Sequence, residues 1–227
     1  IQSIWEIVHI FYKAFNLPLK LRLSLRDPQH PEKYLGNKDH WDKAEEILKE
    51  IVKENKTEYY EGLGEAAFYA PKLDFMAKDS IGRELQVATI QLDVNMPERF
   101  DLSCTNEKGE KERIVMIHAA IMGSIERFMS TMIEHFAGAF PLWLSPVQVK
   151  IIPVRENHNE YAKQVFEMLK ENNIRVELDD KDGNLGGKVR DAKTNKIPYW
   201  IVIGDKEIEA KKVTLESRDA GNLGQMS

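Results

Sequence analysis

The chain has 227 residues, 42% of them hydrophobic and 30% charged, with a formal net charge of −5 at pH 7. That length supports one large or two modest domains with a real core, and the charge gives no bulk basic field to advertise a nucleic-acid partner. A single cysteine, Cys104, excludes an intrachain disulfide and a zinc cage of several local cysteines, and no apolar run approaches the ~18 residues of a membrane span. With no basic leader before a short hydrophobic block, no membrane contact is expected and the expected compartment is the cytoplasm.

Residues 1–15, IQSIWEIVHIFYKAF, set Ile4, Ile7, Val8, Phe11 and Phe15 at helical spacing. The segment opens without a cap or an initiator methionine, as expected of a piece of a longer polypeptide. LPLKLRLSLR then alternates Leu17, Leu19, Leu21, Leu23 and Leu25 against Lys20, Arg22, Ser24 and Arg26, a half-buried strand. DPQHPEKYLGN is loop. Trp41, Ala44, Ile47, Leu48, Ile51 and Val52 mark a helix opening near Asn37 or Asp39. KLDFMAKDS and GRELQVATIQLDV are two long strands joined around Ser80, Ile81 and Gly82, and NEKGEK (106–111) is a further polar turn. The first part therefore predicts an antiparallel sheet with helices against it. On its longest strand Ala88, Ile90 and Leu92 point one way, and Thr89, Gln91 and Asp93 the other. A row of short hydroxyl, amide and carboxylate groups suits the ordering of a small polar ligand, and fits an exposed strand face equally well.

Residues 116–128, MIHAAIMGSIERF, carry one histidine and one arginine in an otherwise small and apolar stretch. Read as a helix, it places Ala120, Gly123, Ser124 and Arg127 on one face and Ile117, Ile121 and Ile125 on another. A guanidinium above Gly and Ser can lie flat on a planar ring or fork onto a phosphate. The same residue also fits an arginine snorkelling from a core helix beside Glu126.

After FPLWLSP, with the boundary at Pro141–Pro146, strand and helix alternate. VQVKIIPV is a strand, Tyr161, Val165, Met168 and Leu169 form a helix stripe, IRVELDD is a strand, LGGKVRDAKT a helix and IPYWIVIGD a strand. This predicts a parallel or mixed α/β sheet in a separate domain, giving domains 1–143 and 144–227. KVTLESRDAGNLGQMS breaks off where a closing helix is expected. The net negative charge lies in the first 145 residues, and the remainder is balanced. Within it, Lys181, Lys188, Arg190, Lys193 and Lys196 fall close together, as a phosphate-contacting patch or a solvated helix face.

VMIHAAIMGSIERF followed by MIEHFAGAFPLWLSPVQV resembles the third signature motif of class II aminoacyl-tRNA synthetases as it occurs in the threonyl-tRNA synthetase family, running into that family's anticodon-binding domain. LGEAAFYAPKLDF, LQVATIQLDVNMPERFDL, KIPYWIVIGDKEIE and DAGNLGQMS extend the resemblance over essentially the whole chain. It implies an α+β fold: the second half of a class II antiparallel-sheet catalytic domain, then an α/β anticodon-binding domain. The implied activity is an aminoacyl-tRNA ligase, joining threonine to AMP with ATP and Mg2+ and passing the threonyl group to its tRNA, in a homodimeric full-length enzyme.

By the same resemblance Arg127 lies over ATP with Gly123 and Ser124 clearing its site, and Tyr69 and Lys72 close over threonine and the activated carboxylate. Gln86, Thr89 and Gln91 line the ribose and amino-acid pockets, and His118 is one of three ligands of a zinc ion that reads threonine through its amino and hydroxyl groups, the other two lying upstream. Glu207 matches an anticodon-reading carboxylate, and Lys188 and Arg190 lie on a helix near the anticodon stem. The first two class II motifs are absent from the chain, so the resemblance implies a fragment inactive by itself. The chain departs from the family pattern at Ala119, Val87, Ala70, Leu85, Asp182 and Glu216, where the family has Arg, commonly Cys, Gly, Trp, Asn and commonly Arg. Ala119, Asp182 and Glu216 motivate a rival reading, a non-catalytic paralogue acting as a tRNA- or protein-binding module. A second rival is a related class II synthetase for another amino acid.

Overall fold

The computed structural model describes residues 1–227, which divide into two compact units, Ile1–Thr131 and Met132–Ser227. The first unit runs α1 (Gln2–Ala14), β1 (Lys20–Leu25), α2 (Lys38–Glu54), β2 (Tyr59–Leu63), β3 (Lys72–Lys78), β4 (Glu84–Asp93), a short α3 (Met96–Arg99), the hairpin β5 (Ser103–Thr105) and β6 (Lys111–Arg113), and β7 (Met116–Ala120). It enters α4 (Ile125–His135). Asn37 caps α2, its side-chain oxygen accepting from the His40 amide at 2.9 Å, which satisfies one of the free donors of the first turn.

The sheet order is β2-β1-β3-β4-β7, antiparallel except for the parallel pair β1/β2. Leu21, Leu23, Leu73, Phe75, Ile90 and Leu92 are buried on its apolar face. Trp5, Val8 and Tyr12 of α1 and Trp41, Ala44, Leu48 and Val52 of α2 complete that core. Each fully buried Leu, Ile or Phe stabilises it by roughly 1.5–3 kcal/mol. With helices covering one face, the other is left to carry polar groups.

Two features differ from the sequence reading. Tyr59–Leu63 forms β2, although its residues are mostly exposed and show no alternation. Residues 116–128 are not one helix: Met116–Ala120 is the edge strand β7, and only from Ile125 does the chain turn helical. Gly123, at φ +69°, makes the change of direction, a backbone state that glycine adopts without steric cost.

The second unit runs β8 (Val149–Pro153), α5 (Asn159–Glu171), β9 (Val176–Leu178), α6 (Leu185–Thr194), β10 (Tyr199–Ile203), α7 (Asp205–Ala210), β11 (Val213–Ser217) and β12 (Gly221–Met226). Its sheet order is β12-β11-β10-β8-β9, parallel across β10, β8 and β9 and antiparallel in β11 and β12. Val149, Ile151, Ile201 and Ile203 pack with Ala162 and Val165 of α5 on one face, and Ile152 and Trp200 with Ala192 of α6 on the other. The closing segment is a β-hairpin, and Met168, placed in the apolar stripe by spacing, is 62% exposed.

The second unit begins at Met132, before the 143/144 join expected from sequence. The reason is bonding by the connecting residues. Lys196 Nζ donates to the Ala137 carbonyl, and Arg218 Nη1 to the Phe140 carbonyl at 3.1 Å. Arg175 reaches the carbonyls of Leu142, Trp143 and Ser145 at 3.3, 2.9 and 2.8 Å. Trp143 itself keeps 53% of its surface exposed.

Candidate functional site

The polar face of the first sheet is organised around Asp74, in the middle of β3 and completely buried. Its Oδ1 accepts from Gln86 Nε2 at 2.7 Å and Thr89 Oγ1 at 2.8 Å. Its Oδ2 accepts from Ser24 Oγ at 2.7 Å and Arg22 Nη2 at 3.0 Å, with Lys72 Nζ at 3.1 Å. Five donors on one carboxylate make a buried charge acceptable, since both oxygens are compensated and hydrogen-bonded.

A β-bulge sets this geometry. Phe75 pairs with Ala88 while Met76 pairs with Gln86, so Val87 is the extra residue in β4. Strict alternation from Thr89 would turn Gln86 to the opposite face; the inserted residue returns it to the same side. The bulge is held from outside: Tyr12 Oη lies 2.9 Å from the carbonyls of both Val87 and Ile121, its one hydrogen shared between them, and burial pushes the Tyr12 phenol far up, so it remains a donor. A Cβ at Gly123 would stand 3.4 Å from the same Val87 carbonyl. The turn leading into α4 therefore lies against the bulge that orients Gln86. Ser124 Oγ accepts from the Arg127 amide at 3.2 Å, and Arg127 stands exposed in the first turn of the helix.

A second cluster lies farther along β4. Gln91 pairs with Lys72 on one side and with His118 of the edge strand on the other. Tyr69 Oη donates to Gln91 Oε1 at 2.9 Å, and its ring meets the His118 imidazole edge-on, centroids 5.4 Å apart. His118 Nε2 lies 2.8 Å from Oδ2 of the completely buried Asp93, whose Oδ1 accepts the amides of Asn95 and Met96 at 2.9 Å each. A carboxylate on one ring nitrogen fixes the ring and turns Nδ1 away from that carboxylate. The residues of this chain do not by themselves fit a zinc ion, because a single imidazole is no coordination set and no three His, Cys, Asp or Glu side chains gather into one.

The structure thus brings Lys72, Tyr69, Gln86, Thr89, Gln91 and His118 onto one face; Ser124 lies in the turn beside the bulge, while Arg127 is exposed on α4 and makes no side-chain contact with that face. Asp74 and Arg22 escaped the sequence reading, although an acid in the middle of the apolar KLDFMAK, two residues from Lys72 and so on its face, is a readable signal. Asp93 was assigned a face without its histidine partner, which depends on strand register. Ala119 alternates with His118 on β7 and faces away from it.

In the second unit Lys188 Nζ donates to the Asp179 carbonyl at 2.8 Å, and Arg190 is exposed on α6. Glu207 Oε2 accepts the Gly204 amide at 2.9 Å and its Oε1 the Thr214 hydroxyl at 2.6 Å. Glu216 Oε2 accepts from the indole of buried Trp200 at 3.0 Å, a local use for this departure from the family pattern.

Residues 29–136 match the family described as the tRNA synthetase class II core domain (G, H, P, S and T), and residues 148–227 match the anticodon binding domain family. The chain is 48% identical over all 227 residues to a threonine–tRNA ligase of Caldanaerobacter subterraneus and 46% identical to one of Clostridium tetani, covering 35% of each. It therefore spans about a third of the length of these curated relatives. A crystal structure described as the RNA binding domain of threonyl-tRNA synthetase from Cryptosporidium parvum superposes with a TM-score of 0.90 at 33% identity, covering 99% of this chain and 55% of that one.

Proposed function

Because the chain belongs to the threonyl-tRNA synthetase family of class II aminoacyl-tRNA synthetases, we propose that it works as part of a threonine–tRNA ligase, supplying one wall of the pocket that activates threonine and the module that engages its tRNA. The observation that carries this reading is the polar sheet face, where Asp74 holds Gln86, Thr89 and Lys72 in fixed places beside Tyr69 and Gln91. Groups preorganised on a rigid sheet bind and orient a small polar substrate with little further ordering cost.

In the reaction proposed, the threonine carboxylate displaces pyrophosphate from the α-phosphate of ATP, giving threonyl-adenylate; a ribose hydroxyl of the tRNA, losing its proton, then attacks the threonyl carbonyl and AMP leaves. Both steps need orientation and compensation of negative charge. Lys72 supplies an ammonium beside the carboxylate and phosphate, and Arg127 supplies a planar cation for the adenine and the phosphates. Gln86 and Thr89 hold the ribose, and Gln91 and Tyr69 the amino acid. Mg2+, when bound with ATP, offsets charge on the leaving phosphates. His118, oriented by Asp93, would supply one of three ligands to a zinc ion in the full enzyme. Lys188, Arg190 and Glu207 are assigned to the RNA. The full enzyme is read as a cytoplasmic homodimer.

The test is Arg127→Lys in a full-length synthetase containing this sequence. Threonine-dependent ATP–pyrophosphate exchange is expected to fall by about a hundredfold or more, the scale of losing a preorganised charge contact to the transferring group. Unchanged exchange would refute the assignment.

A further inference from the structure

Lys150 sits in the middle of β8 with its side chain 4% exposed, on the face that Ile152 and Trp200 present to α6. A buried ammonium needs compensation, and three carboxylates converge on it: Asp191 of α6 at 2.5 Å, Asp179 just beyond β9 at 3.2 Å, and Glu177 of β9 at 3.6 Å. Burial pushes the Lys150 amine down, but its bonds to Asp191 and Asp179 outweigh this and hold it above its ordinary value. The ion pair therefore joins three elements that no continuous strand or helix connects.

We propose that Lys150 is a positioning residue for RNA binding, bolting α6 to the sheet so that Lys188 and Arg190 stand in fixed places. Two contacts transmit the effect. Asp191 follows Arg190 directly on α6, so anchoring its carboxylate fixes the turn that carries that arginine. Asp179, held by Lys150 through its side chain, accepts Lys188 Nζ on its carbonyl at 2.8 Å, so the same ammonium fixes the acceptor that orients the second cation. The apolar stripe of Leu185, Val189 and Ala192 packs toward Ile152 and Trp200 and sets which face of α6 meets the sheet, but not its exact rotation within that face, because non-directional contacts tolerate small turns. Directional, charge-assisted bonds do choose it.

This inference rests on the reading of α6 as an RNA-facing helix, and the experiment separates the two. Binding of the 227-residue chain to a fluorescein-labelled threonine tRNA transcript is followed by anisotropy over a series of salt concentrations. Arg190→Ala tests the helix: it is expected to weaken binding at least about threefold and to lower the salt slope by about one. Lys150→Met is expected to weaken binding about tenfold with a lower salt slope, and Lys150→Arg to restore most of it. Asp191→Asn is the decisive arm. Asp191 is 53% exposed, so this variant folds even where Lys150→Met does not. Removing a negative charge near a polyanion tightens binding by electrostatics alone, whereas loss of the anchor weakens it, here by about threefold. Weaker binding by Asp191→Asn supports the proposal. Unchanged or tighter binding, with Arg190→Ala still impaired, overturns it and leaves the RNA-facing helix standing. If Arg190→Ala binds as the unsubstituted chain does, the RNA-facing helix fails and the proposal falls with it.

Discussion

Replacing Asp74 by Asn removes one charge and one acceptor oxygen at almost constant volume. The consequence follows from the donors. Gln86 and Thr89 share one oxygen and Ser24, Arg22 and Lys72 approach the other, so an amide that keeps its oxygen toward the first pair turns its NH2 toward the second. Ser24 can rotate its hydroxyl and accept, but Arg22 and Lys72 cannot, and their side chains are only 16% and 14% exposed. Arg22 keeps the Glu65 carboxylate at 3.1 Å, but Lys72 is left without an anion and Arg22 with one fewer, at a cost of about 3–4 kcal/mol. Native-state amide exchange of peptides from Leu73–Ala77 reads this locally, because β3 is the central strand of the first unit. At about 1.4 kcal/mol per decade, exchange there should accelerate by roughly two to three orders of magnitude, while the strands of the second unit are unaffected. The double variant Lys72→Met/Asp74→Asn should recover part of the loss, since the uncompensated cation is gone. Acceleration below about threefold would refute the view that this carboxylate holds the polar face together.

Three further outcomes are expected. Gly36 has φ +83° and a Cβ there would fall 1.8 Å from Asn95 Oδ1, whose amide nitrogen bonds the Tyr69 carbonyl at 2.8 Å; Gly36→Ala should therefore cost about 2–3 kcal/mol, a drop of roughly 5–10 °C in the first unit's calorimetric transition, and no drop would count against the contact. Burial raises the Glu207 carboxyl, but bonds from Thr214, the Gly204 amide and Gln225 outweigh it and hold the group below its ordinary 4.5. Its stabilising effect is thus present above the unfolded value and lost as pH falls through the folded one, so the melting difference between the unsubstituted chain and Glu207→Gln should shrink between pH 7 and about pH 3; a pH-independent difference would exclude this linkage. Arg175→Ala removes the donor that ties the carbonyls of Leu142, Trp143 and Ser145, and chymotryptic cleavage at Leu142–Leu144 should accelerate about tenfold, an equal rate showing that the guanidinium does not order this segment.

The order of elements was legible wherever one face of an element is buried, because burial writes a period into the sequence. The Leu21–Leu25 alternation, the Trp41–Val52 stripe and the Asn37 cap are of this kind, as is the strand–helix alternation after Pro146. The family motifs were legible for a different reason, since they are strings of residues that need no geometry to be recognised. What escaped the sequence depends on neighbours brought from elsewhere in the chain. Strand β2 has no pattern of its own because its stability comes from the backbone ladder to β1 rather than from a buried face. MIHAAIMGSIERF looked helical throughout because small apolar residues fit either period, and it is pairing of His118 with Gln91 that makes its first part an edge strand. The polar face was visible in part as Thr89, Gln91 and Asp93. Its centre was not: Asp74 gathers donors from three strands, and Gln86 joins them only because Val87 bulges. Local sequence dictates period and propensity, whereas register and bulges are decided by how strands meet, and the site is made of the second kind of information.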